Sequence, residues 1–446
     1  MNKKILVITT GFAPENRIGA VRITKIVKYL VRLKYDVTVI SPELNEIAAL
    51  DYSLMDEEIK SIDNPRIAQS NWFKKVFLKR RNVLLKKQSA FNYMNSGHND
   101  SKFSLFKSFI YSHLQFIYNI ILNLDWKKNV LVFIKKNYAE GEFDYVFSSY
   151  PSLGGIWAAN RVRKNKVAAV YVADFRDPIN YESNSSWLKI KINTLLQDRI
   201  LSQADVVTTI SKDLFKKFNP KYQHKLNYLP NGYDIDDLDT DFINTSKQLD
   251  DTLVFCYVGS LYGGTRKLHS FFKALRELIA SGSIEIKHIK LIYAGKEFNE
   301  LYKQASSFKL EAILEDRGSV SRLESIQIQN SSDIIIVVTW NTEKDQGILT
   351  GKLFECFLTQ KTILGIVNGT VPNSEFKNII ENVDGGFAFE DASVAFEKDF
   401  KELTSFLVEK YKEKKEHGTL KNNYNKNLEN FNYKNITNKL VSYFNN

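Results

Sequence analysis

The stretch DQGILTGKLFECF, Asp345 to Phe357, brings together residue types that could hold an anionic ligand. Gly351 and Lys352 stand one turn ahead of Glu355, just past the apolar run DIIIVVTW and the polar loop NTEKDQGIL. Thr350 has the side chain of a helix N-cap, so a helix is expected to begin at GKLFECFL. The free N–H groups of its first turn, together with Lys352, would neutralise phosphate. Gly347 and Gly351 would let backbone approach a ligand closely. Leu353, Phe354 and Phe357 read more simply as core. The competing reading makes Lys352 and Glu355 two solvated first-turn charges.

Three further loops carry the same chemistry. In VGSLYGGTRKLHS a strand ends at Gly259, and Arg266 and Lys267 follow a glycine pair. Two cations at a helix start oppose the positive end of its dipole, which favours Arg266 or Lys267 as a phosphate partner over a plain basic surface. In GFAPENRIGAVR the glycine spacing of a dinucleotide fingerprint is incomplete. The loop nevertheless offers Gly19, Arg17 and Arg22, the last of which would otherwise face solvent on the first helix. In YVADFRDPINYE the charged residues Asp174, Arg176 and Asp177 follow a strand, at the end of an open α/β sheet where ligands bind. Asp174 or Asp177 could orient an acceptor hydroxyl or take its proton; an internal Asp–Arg bridge is the alternative. The six histidines, among them His98, His113 and His224, form no metal-ligand cluster in the sequence, and no metal is expected.

The elements that must position these loops alternate in kind. KILVITT, a loop, the helical pattern VRITKIVKYLVRL and DVTVIS make a strand–helix–strand unit of the sort that builds parallel sheets. Short apolar runs recur at YVFSSY, AAVYVADF, DVVTTIS and KLNYLPNG. After a polar stretch the rhythm restarts with LVFCYVGS, the helix KLHSFFKALRELIA, IKLIYAG, DIIIVVTW and KTILGIV. We therefore expect two doubly wound α/β domains, 1–235 and 250–425, joined near 232–250, with a closing C-terminal helix over 426–446. The irregular region 44–140 is expected to be a helical insertion in the first domain.

A chain of 446 residues is too long for one core, and 43% hydrophobic with 25% charged residues is ordinary for a globular protein. Cys256 and Cys356 both lie in apolar company, which argues against a disulfide framework or zinc site and for a reducing compartment. The first apolar run is short for a signal peptide and is read as a buried strand. No uncharged run reaches the roughly 20 residues of a membrane span, so a cytoplasmic location is expected. The segment 71–88, NWFKKVFLKRRNVLLKKQ, holds seven Lys and Arg and no acid, out of a net charge of +11. At about 100° per residue, Trp72, Phe73, Val76, Phe77, Val83 and Leu84 fall within an arc of roughly 140°, with Arg80 intruding. Docking on an anionic membrane surface is expected of it, against a solvated helix packing one face on the domain. No nucleic-acid-binding motif accompanies the charge.

The order of ADFRDP, ADVVTTISKDL, YLPNGYD, YVGSLY, DQGILTGKLFE and FNYKNITNKLVSYF resembles GT-B glycosyltransferases. It is most similar to the family 4 (group 1) enzymes of bacterial surface-polysaccharide biosynthesis. The resemblance covers nearly all of the chain apart from the insertion. It implies a GT-B fold, two Rossmann-like domains facing across a cleft, and transfer of a sugar from a UDP or GDP donor to a lipid-linked or growing glycan acceptor. Retention of configuration also follows from it; metal-independent chemistry with no cofactor is expected from the lack of a ligand cluster, and peripheral attachment at the inner face of the cell membrane from the segment 71–88. Gly19, Gly259, Arg266, Lys267, Gly351, Lys352 and Glu355 would hold donor nucleotide and phosphate, with Glu355 on the ribose hydroxyls. Lys352 would also act in catalysis with Asp174 or Asp177, and Arg17 and Arg176 would lie on the acceptor side. Three departures stand out. Gly347 occupies the place of the family's earlier Glu, with Asp345 and Glu343 as the nearby acids that could partly replace it. Ser260 fills the place of an Arg, and a customary His near Asp174 is missing. Two other classes remain open: a nucleotide-sugar epimerase of the same fold, and a non-catalytic nucleotide-sugar-binding relative.

Overall fold

The computed structural model describes residues 2–44, 49–68, 102–179, 187–238 and 251–444. The basic stretch 71–88 lies outside these, as does most of the expected domain join. The described chain divides into two compact units, Met1–Arg176 with Leu195–Thr208, and Asp177–Thr194 with Thr209–Asn446.

The first half alternates strands and helices as β1 (Lys4–Ile8), α1 (Ile18–Arg32), β2 (Asp36–Pro42), α2 (Glu57–Lys60), β3 (Arg66–Ile67), α3 (Lys102–Asn137), β4 (Phe143–Tyr150), α4 (Leu153–Lys164), β5 (Ala168–Phe175), α5 (Trp187–Gln203), β6 (Val206–Thr209) and β7 (Leu226–Tyr228). The sheet runs β3-β2-β1-β4-β5-β6-β7, with the pairs β2–β3, β1–β2, β1–β4 and β4–β5 all parallel. Both faces of such a sheet are covered, which explains why β1 is a continuous apolar run rather than an alternating one. The region expected as an insertion contains the edge strand β3 and the 36-residue helix α3. The C-terminal half of α3 buries Trp126, Val130 and Ile134. Asn123 Oδ1 accepts from the Gly154 N–H at 2.8 Å, and a Cβ on Gly154 would fall 2.7 Å from the Asn123 carbonyl. Only glycine permits so close a crossing of α3 and α4.

The second half repeats the alternation as β8 (Leu253–Val258), α6 (His269–Ala280), β9 (Ile289–Ala294), α7 (Phe298–Ser306), β10 (Leu314–Asp316), α8 (Arg322–Ser331), β11 (Ile334–Asn341), α9 (Gly351–Thr359), β12 (Thr362–Gly369), α10 (Glu375–Asn382), β13 (Gly386–Glu390), α11 (Phe396–His417) and α12 (Tyr433–Tyr443). Its six strands order as β10-β9-β8-β11-β12-β13, every pair parallel. Side chains of β11 alternate between the two cores as the pleat requires. Ile334, Ile336 and Val338 join Phe271, Leu301 and Phe400 on one face, and Ile335 and Val337 join Phe354, Phe357 and Phe431 on the other. In both sheets the order reverses between the first and fourth strands, the Rossmann pattern. Within 426–446 the helix α12 spans Tyr433–Tyr443, and Tyr233 pairs with the segment before it through its N–H on the Phe431 carbonyl at 2.9 Å. Among the described residues no helix is long and apolar enough to cross a membrane.

Candidate functional site

In an open parallel sheet, ligands bind beyond the carboxyl ends of the strands where the order reverses. In the second unit that point lies between β8 and β11, and the loops that leave those two strands meet there. Tyr262, after β8, stands edge-on to Trp340 at the end of β11, ring centres 5.9 Å apart. The Arg266 guanidinium lies 4.6 Å from the Tyr262 ring centre and 5.6 Å from that of Trp340. Arg266 is 8% exposed, donates from Nη1 to the Ser260 carbonyl at 3.1 Å, and leaves its buried Nε unpaired. The predicted cation is therefore part of the loop's framework. Lys267 has an exposed side chain, while its backbone N–H and carbonyl are both clamped by the Asn368 amide at 2.8 and 3.1 Å.

The loop itself is a concave run of backbone donors. Gly259, Tyr262, Gly263 and Gly264 all have positive φ, at 137°, 52°, 62° and 85°. Nothing lies within 4 Å of where a Cβ on Gly259 or Gly263 would stand. Such left-handed turns point successive N–H groups to one side and form an anion-binding nest. A carboxylate sits in it. Glu297 Oε2 accepts from the N–H groups of Leu261 (2.7 Å) and Tyr262 (3.1 Å), and Oε1 accepts from Gly263 (2.7 Å). The Ser260 hydroxyl also donates to Oε2. That hydroxyl and those N–H groups hold the Glu297 carboxyl below the usual carboxylate range. The tyrosines of β8 and β9 brace the nest: Tyr257 donates to the Ser260 carbonyl at 2.8 Å, and Tyr293 to the Gly259 carbonyl at 3.2 Å.

The helix that follows β11, the neighbour of β8, is α9. Thr350 caps it, its hydroxyl accepting from the Lys352 N–H at 3.0 Å. Lys352 Nζ is 2.5 Å from Glu355 Oε2 and 3.4 Å from the Ser325 hydroxyl. The pair is neither buried nor turned wholly to water, with side chains 31% and 27% exposed. Leu353, Phe354 and Phe357 are core, as their types indicate, and Phe354 and Phe357 lock α9 in place against Phe431 at 5.5 and 5.4 Å. Gly351 is half-buried in the first turn. Gly347 has φ of 72°, and a Cβ there would fall 2.4 Å from the Ser211 hydroxyl. The close approach predicted for a ligand is taken by the chain itself at this position.

The Ser211 segment is fixed by a second carboxylate that the sequence does not signal. Glu375 accepts from the Ser211 hydroxyl at 2.5 Å and from the N–H groups of Lys212 and Asp213, each at 3.0 Å. Burial raises its pKa despite those bonds. Cys256 and Cys356 are free and buried in the core behind α9, and burial pushes the Cys256 thiol up to about 12.

In the first unit the predicted residues gather at the β1/β4 switch point. A Cβ on Gly19 would stand 2.1 Å from Arg176 Nη1, so the guanidinium occupies the space that a side chain would need. Arg176 Nε donates to the Tyr150 carbonyl, at the end of β4, at 3.1 Å. Arg17, largely exposed, pairs with the buried Glu15 and donates to the Thr10 carbonyl at 2.8 Å. Asp177 is exposed.

Asp174 does not fit the part of proton acceptor. It is 0% exposed, paired with an equally buried Arg22 at 3.1 Å, and accepts from Ser149 and Thr208 at 2.7 Å each. With both carboxylate oxygens engaged and no water contact, it ties β4, β5, β6 and α1 together. The internal bridge weighed from the sequence is formed, but with Arg22 as partner, and Arg22 does not face solvent. Among the described residues no three His, Cys, Asp or Glu side chains converge as metal ligands.

No family model matches the sequence, and no curated protein does. Similarity to solved structures spans the whole length. Sucrose-phosphate synthase from Thermosynechococcus elongatus superposes with a TM-score of 0.59 at 10% identity, covering 100% of this chain and 98% of that one. The lipopolysaccharide outer core galactosyltransferase WaaB, in its apo form, gives 0.56 at 12% identity, covering 98% and 99%. A Listeria monocytogenes protein described as a UDP-N-acetylglucosamine 2-epimerase gives 0.51 at 11% identity, covering 99% and 95%. Strand order, switch-point loops and full-length superposition agree that the chain has the GT-B fold.

Proposed function

We propose that the protein is a glycosyltransferase that moves a sugar from a UDP or GDP donor to a lipid-linked or growing glycan acceptor in surface-polysaccharide synthesis. The observation that carries the donor half is the nest of backbone donors with the buried Arg266 after β8, together with a helix after the neighbouring strand β11 that opens with the Lys352–Glu355 pair. Negative charge grows on a departing diphosphate, and preorganised N–H groups and cations stabilise it without reorganising. Lys352 serves the phosphates, and Glu355, released from Lys352 as the ligand enters, accepts from the ribose hydroxyls. The nest's donors lie around Gly259, and Lys267 extends the positive charge. Gly19, Arg176 and Arg17 are assigned to the acceptor or its phosphate, and Asp177, exposed where Asp174 is enclosed, to the acceptor hydroxyl. Retention of configuration, metal-independent chemistry and attachment to the inner membrane surface through 71–88 complete the proposal.

The epimerase reading keeps its place because the fold likeness includes such a protein. Incubation with a panel of UDP-, GDP- and dTDP-sugars separates the alternatives. Release of free nucleotide supports the transferase, and epimer formation without release supports the second reading. Binding with neither outcome marks a non-catalytic relative.

A further inference from the structure

Three glutamates each satisfy a run of backbone N–H groups, but they differ in setting. Glu390 is 2% exposed and accepts from the N–H groups of Asn373 and Ser374 inside the fold. Glu375, whose pKa burial raises, holds Ser211 to Asp213. Both are structural clamps. Glu297 is partly exposed and reaches from the end of β9 into the nest after β8, where nothing stands within 4 Å of a Cβ on Gly259 or Gly263. Its carboxylate places two acceptor oxygens where three N–H groups and a hydroxyl converge, the arrangement a phosphate would take. Tyr257, Tyr293 and Arg266 hold the loop's carbonyls by bonds that do not involve the Glu297 carboxylate. Glu297 is the N-cap residue of α7, and its side chain makes no capping hydrogen bond there.

We infer that Glu297 is a resident anion in a phosphate subsite formed by Ser260, Leu261, Tyr262 and Gly263, and that a phosphate group of the donor displaces it on binding. The inference rests on the donor-site reading and adds a gate to it. An internal competitor lowers apparent affinity by the fraction of molecules in which the nest is open, so an empty site stays closed to weakly held anions. Once displaced, the Glu297 carboxylate repels any ligand that does not fill the nest.

Calorimetric titration of the full chain with inorganic pyrophosphate and with UDP and GDP tests it, using Glu297→Ala, Glu297→Gln and, as a control, Glu300→Ala. Glu300 lies one turn along α7 and accepts none of the loop N–H groups. Glu297→Ala is expected to bind pyrophosphate about tenfold more tightly than the unmodified protein, the effect of freeing a nest open about a tenth of the time. Glu297→Gln should fall between the two, and Glu300→Ala should change little. Equal or weaker binding by both Glu297 variants, folded by circular dichroism, overturns the inference, as does an equal gain in Glu300→Ala. If Glu297→Ala gains pyrophosphate affinity but UDP and GDP bind no better than pyrophosphate, the gate stands and the nucleotide reading falls. If a nucleotide binds, weakens in Glu355→Ala and is unchanged in Glu297→Ala, the nucleotide reading stands and the gate falls.

Discussion

Lys352 and Glu355 answer each other across one turn of α9, so the affinity of this site for a nucleotide is a contest between an internal pair and the ligand. A half-exposed pair is worth little by itself, and replacing it with ribose and phosphate contacts is not prohibitive. Glu355→Ala should weaken nucleotide binding by roughly 1–3 kcal/mol, the scale of hydrogen bonds to a charged group; unchanged affinity in calorimetry would remove Glu355 from the ribose. Asp174 makes the opposite case. Removing its charge takes the counter-charge from Arg22 in a site closed to water, and breaking such a buried pair costs about 3–5 kcal/mol. Asp174→Asn should show that loss in urea denaturation, and Asp174→Leu combined with Arg22→Met should recover much of it. An Asp174→Asn protein with full stability and no activity would restore Asp174 to the chemistry.

Element by element, the positioning is done from behind. Buried aromatic contacts between α9 and Phe431 fix the direction in which Lys352 and Glu355 leave the helix. Phe431→Ala should lower stability by about 3–5 kcal/mol through cavity formation. At a temperature where the variant is still folded, it should also weaken nucleotide binding, although Phe431 touches no proposed ligand. Retained affinity would show that α9 is held by the remaining core alone. On the other core, α11 is anchored through Lys414, whose ammonium lies 3.2 Å from Asp333 in a fully buried pair. Asp333 also accepts from the Val254 N–H at 2.9 Å, so one carboxylate aligns the starts of β8 and β11 with that helix.

Across the whole chain, identities of 10–12% with full-length superposition show that the architecture tolerates almost complete replacement of side chains. Function must therefore be read from local sites rather than from the fold. The uneven charge is one such local feature. Deleting 71–88 should reduce sedimentation with anionic liposomes, most clearly at low salt where screening is weak. Unchanged sedimentation would remove the membrane assignment and leave the donor site untouched.

The sequence by itself determined the alternation of strands and helices, because buried parallel strands are continuous apolar runs that local pattern reveals. It also determined Thr350 as a cap, Leu353, Phe354 and Phe357 as core, the loop that carries Gly259 and Arg266, and the helix start that carries Lys352 and Glu355. Short or weakly patterned elements escaped it: β3 and β10 are two- and three-residue edges, and β13 begins at a glycine. Tertiary structure alone decided the partners. Asp174 meets Arg22 from 152 positions away, Ser211 meets Glu375 from 164, and Glu297 reaches the nest from 36. A charged residue at a strand end looks the same in sequence whether it faces a ligand, a buried counter-charge or a row of N–H groups. What separates these cases is which distant segment packing brings beside it, and no local pattern encodes that.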